Sequence, residues 1–256
     1  MDMYVFLGYY LGMKKKIVYV LCWFVPSRRL RHRLHDWAKR RKAQNNVIEI
    51  VKQDGRHVRV KHVRGCKFIF TGDNNHVVLH EPLGKLDLYV RVSSGVYIEL
   101  QSSTQWQRKI IVLKEYGETE TNKIVVGEQL KITNMVTFLL GHGGGDIYIG
   151  DDCMFASNVV FQTGDFHTVF DVNTGQVLNF NDDIVVGNHV WLATGCMLLK
   201  GANVADNSVV GAHSIVNKKF DKPNVVIAGV PAKIVKENVN WDVRAPHQYA
   251  MENNLK

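Results

Sequence analysis

Proline and cysteine are scarce in this sequence, and neither follows a functional pattern. The 256 residues contain five prolines and 21 glycines, too few for long linkers. The four cysteines, Cys22, Cys66, Cys153 and Cys196, have neither CxxC nor zinc-ligand spacing. We therefore expect reduced thiols that behave as small apolar groups, with no redox, nucleophilic or metal-binding role.

A long apolar run is also missing. The apolar stretches 3–12 and 17–26 are separated by Lys14, Lys15 and Lys16, and each is shorter than the roughly 20 residues that a membrane-spanning helix needs. The opening lacks the basic start and the small-residue cleavage site of a clean secretory signal. We expect no membrane span and a cytoplasmic location.

The dominant pattern is a period of six in residues 186–221. Apolar side chains recur at every sixth position, and mostly small residues follow each of them by four positions. The apolar series is Val186, Leu192, Leu198, Val204, Val210 and Val216, and the second series is Val190, Cys196, Ala202, Ser208, Ser214 and Phe220. This period fits neither an α-helix nor a hairpin, but it is typical of coils of three short strands that stack on one another.

The same frame continues upstream, where Val126, Ile132 and Phe138 give one coil and Ile149, Phe155 and Phe161 give another. The predicted coils of 18 residues are 126–143, 149–166, 186–203 and 204–221, and inserts interrupt them at 144–148 and 167–185. Functional residues concentrate where such a repeat is interrupted.

Four regions follow from these patterns. Residues 1–45 form a basic segment, 46–123 an irregular β layer, 124–241 the regular repeat and 242–256 a polar tail. Alternating apolar residues and turn signals such as Gly72-Asp73-Asn74-Asn75 predict that 46–123 forms extra, imperfect coils. A separate small β domain is the alternative.

The positive charge is confined to the first region. Residues 1–45 carry a net charge of +9, whereas the rest carries −1. Ser27 is a candidate N-cap for a helix in which Leu30, Leu34 and Trp37 share one stripe. This helix either caps the open end of the coils or binds an anionic membrane surface peripherally. The body lacks a matching basic face, so we do not expect a nucleic-acid partner.

Several motifs together resemble a known family. They are Asp165-Phe166-His167, Phe170-Asp171, the stretch from Asp183 to Trp191, Leu199-Lys200-Gly201 and Ala228-Gly229-Val230-Pro231-Ala232-Lys233. Over roughly 147–241 the chain resembles the hexapeptide-repeat acyltransferases, and within them the O-acetyltransferases of bacterial capsules, including sialic-acid capsules, and of O-antigens. The resemblance implies an all-β fold, a left-handed parallel β-helix, and a homotrimer with active sites between subunits.

The resemblance, together with simple chemistry, selects His167 as the catalytic base. A sugar hydroxyl is a poor nucleophile, and a histidine with a pKa near 6.5 can take its proton at neutral pH. Asp165 or Asp171 is a candidate to orient the imidazole, although a corner residue that bonds only to backbone explains Asp165 slightly better and His142 equally well. The coil frame places His142 in the same slot as Asp165, and Gly143 and Gly144 beside them, where backbone N–H groups could meet a thioester oxyanion.

The resemblance also implies acetyl-CoA as the donor and a poly- or oligosaccharide as the acceptor. Trp191 corresponds to a tryptophan that lines the site in the capsule enzymes, although packing on a neighbouring coil explains it nearly as well. Candidate donor-binding residues are small corner residues and cations: Ala193, Ala212, Ala228, Gly229, Lys218, Lys219 and Lys233.

Two other functions share this kind of coil. One is N-acetylation of an amino-sugar nucleotide, which uses the same donor. The other is a metal-dependent hydratase of the γ-carbonic anhydrase type. That reaction needs closely spaced histidine ligands, and His142, His167, His189 and His213 do not supply the spacing. We therefore expect no metal.

Overall fold

The computed structural model describes residues 43–103, 107–115 and 121–255. The helix predicted within residues 1–45 lies outside this part of the chain, because only residues 43–45 of that segment are described. No helix in the described part is long and apolar enough to cross a bilayer.

The regular secondary structure of the described residues consists almost entirely of short strands. In chain order they are β1 (Val47–Val51), β2 (His57–Arg59), β3 (Cys66–Phe70), β4 (His76–His80), β5 (Lys85–Val92), β6 (Val96–Leu100), β7 (Gln107–Lys114), β8 (Asn122–Val126), β9 (Lys131–Ile132), β10 (Met135–Leu139), β11 (Ile147–Ile149), β12 (Met154–Phe155), β13 (Val159–Gln162), β14 (Ile184–Val186), β15 (Trp191–Leu192), β16 (Met197–Leu199), β17 (Asn203–Val204), β18 (Val209–Val210), β19 (Ile215–Val216), β20 (Lys219–Phe220), β21 (Val225–Gly229) and β22 (Ala232–Glu237), followed by the helix α1 (Pro246–Glu252).

The strands form three parallel faces of one left-handed β-helix. Face A has the order β2-β1-β4-β6-β8-β11-β14-β17-β20, face B has β3-β5-β7-β10-β13-β16-β19, and face C has β9-β12-β15-β18-β21-β22. From β8 onward the chain visits A, C and B in turn, so each coil has three corners. Only β2 and β22, which each end a face, pair antiparallel to their neighbours in the described residues.

The predicted period of six is confirmed by the strand register. Val126, Ile149, Val186 and Val204 stack in line on face A, and the equivalent residues of faces B and C stack in the same way. These inward side chains are at most 4% exposed. A flat strand turns alternate residues inward, so the residue two positions before each of these is buried as well, and two residues per hexad fill the interior.

The last coil is shorter than predicted. Val204 pairs with Phe220 rather than with a residue 18 positions later. Only Asn217 and Lys218 separate β19 from β20, whereas three residues make the same corner one coil earlier. Phe220 therefore points into the core, at 6% exposure, instead of filling a small corner slot.

Residues 47–114 continue faces A and B without interruption. Strands β4 and β6 lead into β8 on face A, and β5 and β7 lead into β10 on face B. No strand of face C is present among the described residues before β9. This part of the chain is therefore a stack of coils with two regular faces and shares its interior with the hexad repeat.

The two inserts leave the β-helix at the same corner. The corner between face B and face A, which we call the BA corner, holds residues 140–146 in one coil and 163–183 in the next. In the two coils that follow along the chain, this corner consists of residues 200–202 and then residues 217–218. Every long excursion of the regular repeat therefore projects from one edge of the molecule.

The buried thiols provide a test of the core. Cys153 and Cys196 are fully buried, and burial raises the pKa of each thiol to about 12. Because the thiolate is the reactive species, we expect iodoacetamide at pH 8 to modify neither residue in the native protein. Cys66 is only half-buried and should react, as peptide mapping by mass spectrometry would record. Labelling of Cys153 as fast as Cys66 would contradict the packing.

Candidate functional site

The long insert at the BA corner folds back as a hairpin. Phe170 and Val177 form an antiparallel bridge, and the Leu178 N–H donates to the Val169 carbonyl at 2.8 Å. Asp171 closes the tip, because its carboxylate accepts hydrogen bonds from the Asn173 and Thr174 amides, both at 2.8 Å. These bonds also lower the pKa of Asp171. The structure thus makes Asp171 a turn residue and does not bring it to the His167 imidazole.

A tight turn directs the chain into His167. The His167 N–H donates to the Asp165 carbonyl at 2.8 Å, and the residue between them, Phe166, has a φ of +63°. This is the less common kind of γ-turn, and a bulky residue with positive φ is strained. Such strain persists only where the surroundings fix it, which is frequent at functional sites.

Asp165 is held by two residues to which the sequence analysis assigns no role in the site. Lys200 Nζ lies 2.6 Å from Asp165 Oδ2, and Asn179 Nδ2 donates to the same oxygen at 3.0 Å. The Lys200 ammonium, followed by the Asn179 amide, holds the pKa of Asp165 below its usual range. The Asp165 carboxylate therefore bonds to Lys200 and Asn179, and its link to His167 runs through the backbone.

The base of the hairpin encloses an open cavity of about 330 Å³. The cavity brings together His142, Gly143, Asp165 and His167, four of the predicted site residues, with aromatic walls from Phe166 and Phe180 and with Asn179 and Asn181. The His142 and Phe166 rings meet edge to face, 5.9 Å between centroids. The His167 side chain is exposed, and neither ring nitrogen bonds to a described residue.

A run of three glycines begins at this cavity, which Gly143 lines. Gly143, Gly144 and Gly145 have φ of +92°, +90° and +85°, which residues with a Cβ rarely adopt. Asn122 Nδ2 donates to the carbonyls of Gly144 and Gly145, at 2.7 and 2.9 Å. None of the three glycine N–H groups donates to a group in the described residues. These amides are therefore available to a bound ligand.

Trp191 lies on a different side of the coil. It belongs to β15 on face C, where its ring is 6.2 Å from that of Trp241. The indole Nε1 is buried and has no hydrogen-bond partner in the described part of the chain. Trp241 in turn stacks on His189 at 4.3 Å. In a three-sided coil the BA corner is the edge opposite face C, so one chain does not bring Trp191 to His167.

The predicted donor-binding residues also fall into two groups. Ala193, Ala212, Ala228 and Gly229 lie at or beside the corner between faces C and B, and Lys233 pairs with Ala228 across β21 and β22. Lys218 lies at the BA corner and Lys219 begins the strand that follows it; the Lys218 ammonium lies 5.3 Å from the Phe220 ring centroid. The chain therefore carries one group on the Trp191 side and another on the His167 side.

Metal ligands do not converge in this region. Within residues 43–103, 107–115 and 121–255, no three His, Cys, Asp or Glu side chains form a group that could hold a metal ion.

Comparisons with known proteins agree with this architecture, although no family model matches the chain. A polysialic acid O-acetyltransferase of Neisseria meningitidis is 44% identical over 103 residues, which are 40% of this chain and 48% of that protein. WcaF of Escherichia coli K12, assigned as a colanic acid biosynthesis acetyltransferase, is 30% identical over 141 residues, covering 52% of this chain and 77% of that protein.

A solved structure is similar over most of the described fold. The polySia-specific acetyltransferase NeuO superimposes with a TM-score of 0.64 at 22% identity, covering 84% of this chain and 96% of that one. At this identity the likeness establishes the β-helix alone. The chain spans less than half the length of the first curated relatives that it matches, between 39% and 48%.

Proposed function

The chain belongs to the hexapeptide-repeat acetyltransferases, and from that premise we propose that it transfers an acetyl group from acetyl-CoA to a sugar hydroxyl of a bacterial surface polysaccharide. The observation that carries this proposal is the imidazole of His167, which stands in an open cavity with neither nitrogen engaged by a described residue. A base that must accept a substrate proton needs such a free nitrogen.

The chemistry is a direct transfer between two bound substrates. A His167 ring nitrogen takes the proton of the sugar hydroxyl while the hydroxyl oxygen attacks the thioester carbonyl. The new C–O bond forms, the C–S bond breaks, and the thiol of CoA leaves with a proton. The amides of Gly143 and Gly144 are suited to bind the oxyanion. N–H dipoles whose positive ends are fixed toward the developing negative charge before the reaction stabilise the transition state.

The distribution of residues favours a site shared between subunits. His142, His167, Lys218 and Lys219 lie on one side of the coil, and Trp191, Ala228 and Lys233 on the other. A single site containing both groups requires two copies of the chain. The hairpin also exposes Phe170 at 57%, Leu178 at 63% and Phe180 at 75%, an apolar surface that a neighbouring subunit would cover. We therefore propose a homotrimer with His167 facing the Trp191 of the next subunit.

Mixing of subunits tests this arrangement. His167→Ala and Trp191→Ala should each be nearly inactive alone. After denaturation and joint refolding at equal amounts, activity should return to about a quarter of the parent value, because one site in four then pairs two intact residues in a cyclic trimer. Differently charged tags on the two variants allow the mixed trimers to be isolated. If these mixed trimers recovered no activity, the shared site would be refuted.

The acceptor is tested with a substrate panel. Acetyl-CoA is incubated with α-linked sialic acid polymers, galactosides and an amino-sugar nucleotide, and acetylation is detected by mass spectrometry. We expect alkali-labile O-acetylation of a polymer, unchanged by EDTA. Transfer to the amine of the nucleotide sugar instead would replace the proposal with N-acetylation, and loss of activity with EDTA would favour a metal-dependent reaction.

A further inference from the structure

His167 can act as the base only if its imidazole keeps one orientation in the cavity. That orientation depends on the conformation of the strained turn before it. The backbone bond that closes the turn joins Asp165 and His167 but leaves the positive φ of Phe166 uncompensated. The turn is also at the surface, because Asp165, Phe166 and His167 are all exposed. Packing alone therefore does not fix it.

Asn179 ties both sides of this turn together. It comes from the returning arm of the hairpin, and its Nδ2 group donates to Asp165 Oδ2 at 3.0 Å and to the His167 carbonyl at 2.7 Å. Its Oδ1 accepts the N–H of Val169 at 2.8 Å. One amide thus uses both of its donor hydrogens and its acceptor on residues 165, 167 and 169. Asparagine has this inventory, whereas leucine and aspartate do not.

Lys200 connects that amide to the rigid part of the fold. It follows β16, which is hydrogen-bonded in register to β13, the strand that precedes the insert. Its ammonium lies 2.6 Å from the same Asp165 oxygen that Asn179 contacts. The Lys200 side chain is 23% exposed and that of Asp165 is 43% exposed. Such an ion pair contributes little to the free energy of folding, so its main effect is to orient the carboxylate. A continuous path runs from the coil through Lys200, Asp165 and Asn179 to the His167 backbone.

We infer that Asn179 and Lys200 are positioning residues that aim the His167 imidazole into the cavity, with Asp165 as the anion between them. This inference rests on the proposed role of His167 as the base. It gives Asp165 a role different from that of a direct partner of the imidazole. Catalytic geometry is sensitive to such support, because a displacement of about 1 Å can cost about 100-fold in rate.

The test compares the full-length variants Asn179→Leu and Lys200→Met with the matched control Asn253→Leu. Asn253 is exposed and directly follows α1. We expect Asn179→Leu to lower kcat by about 10- to 100-fold, with KM for both substrates within about threefold and unchanged far-UV circular dichroism. Lys200→Met should lower kcat less, by about three- to tenfold, and Lys200→Arg should recover most of that loss. Asn253→Leu should match the parent.

A double variant separates positioning from a general structural effect. If Asn179 acts through His167, Asn179→Leu should not lower the residual activity of His167→Ala any further. A fall by the same factor as in the parent would overturn the inference, as would a kcat of Asn179→Leu within threefold of the parent. If His167→Ala itself stays active, the proposed base is wrong, and this outcome is distinct from a failure of the positioning role.

Discussion

His167→Ala should lower kcat by about 10² to 10⁴ while KM for acetyl-CoA changes little, because general-base catalysis contributes about that factor. The side chain is exposed, and its ring nitrogens make no hydrogen bond to a described residue. Its removal should therefore leave the melting temperature within a degree or two of the parent. Steady-state kinetics and thermal unfolding on the same preparation provide both measurements.

The matched control for this variant is His247→Ala. His247 is an exposed histidine in α1, outside the cavity, and its replacement should leave kcat unchanged. If His167→Ala retained activity within threefold of the parent, the hydroxyl would have to lose its proton to another group. His142, which lies in the same cavity, would then be the next residue to replace.

The second large effect is expected on stability, at the centre of the β-helix. Phe161→Ala should lower the free energy of unfolding by about 3–5 kcal/mol, the usual cost of truncating a buried phenylalanine. Phe161 is fully buried, and its ring centroid lies 4.9 Å from that of Phe138 on the coil below and 5.5 Å from that of Phe155. The cavity would open between two adjacent coils, where rigid strand pairing limits collapse of the surroundings.

Chemical denaturation followed by circular dichroism measures this loss. The control is Met251→Ala, which truncates a large apolar side chain that is 71% exposed and should change stability by less than about 0.5 kcal/mol. A loss below about 1 kcal/mol for Phe161→Ala would mean that the interior at this level is not packed as the structure describes.

The interior of the fold was predictable because it is periodic. One apolar residue per hexad, repeated from Val126 to Val216, marks the inward side of each strand and so defines both the faces and the register. The prediction was wrong at Phe220. The corner before it is shorter than the same corner one coil earlier, and no sequence motif marks this break in the period. Residues 46–123 lack the period, and their continuity with faces A and B depends on pairings between distant strands that no short pattern encodes.

The candidate site was predictable only in part, for a related reason. His167 could be found because it lies at the interruption of a repeat and within a motif. Asn179 and Lys200 are 14 and 35 residues away from Asp165 in sequence, and only the hairpin and the next coil bring them together. Asp171 belongs to a motif as well, yet its carboxylate serves the turn that follows it. Residue type and proximity in sequence did not distinguish these roles.

The BA corner separates the stability of the scaffold from the chemistry that it displays. This corner holds residues 163–183 in one coil and residues 200–202 in the next, while the strands on either side keep the same register. By loop-closure entropy, the longer excursion costs only about 2 kcal/mol more than the shorter one. We therefore expect insertion, deletion or exchange within this segment to leave the strand ladder intact. New acceptor specificities can be sought by grafting hairpins from relatives between Gln162 and Ile184, without redesign of the core.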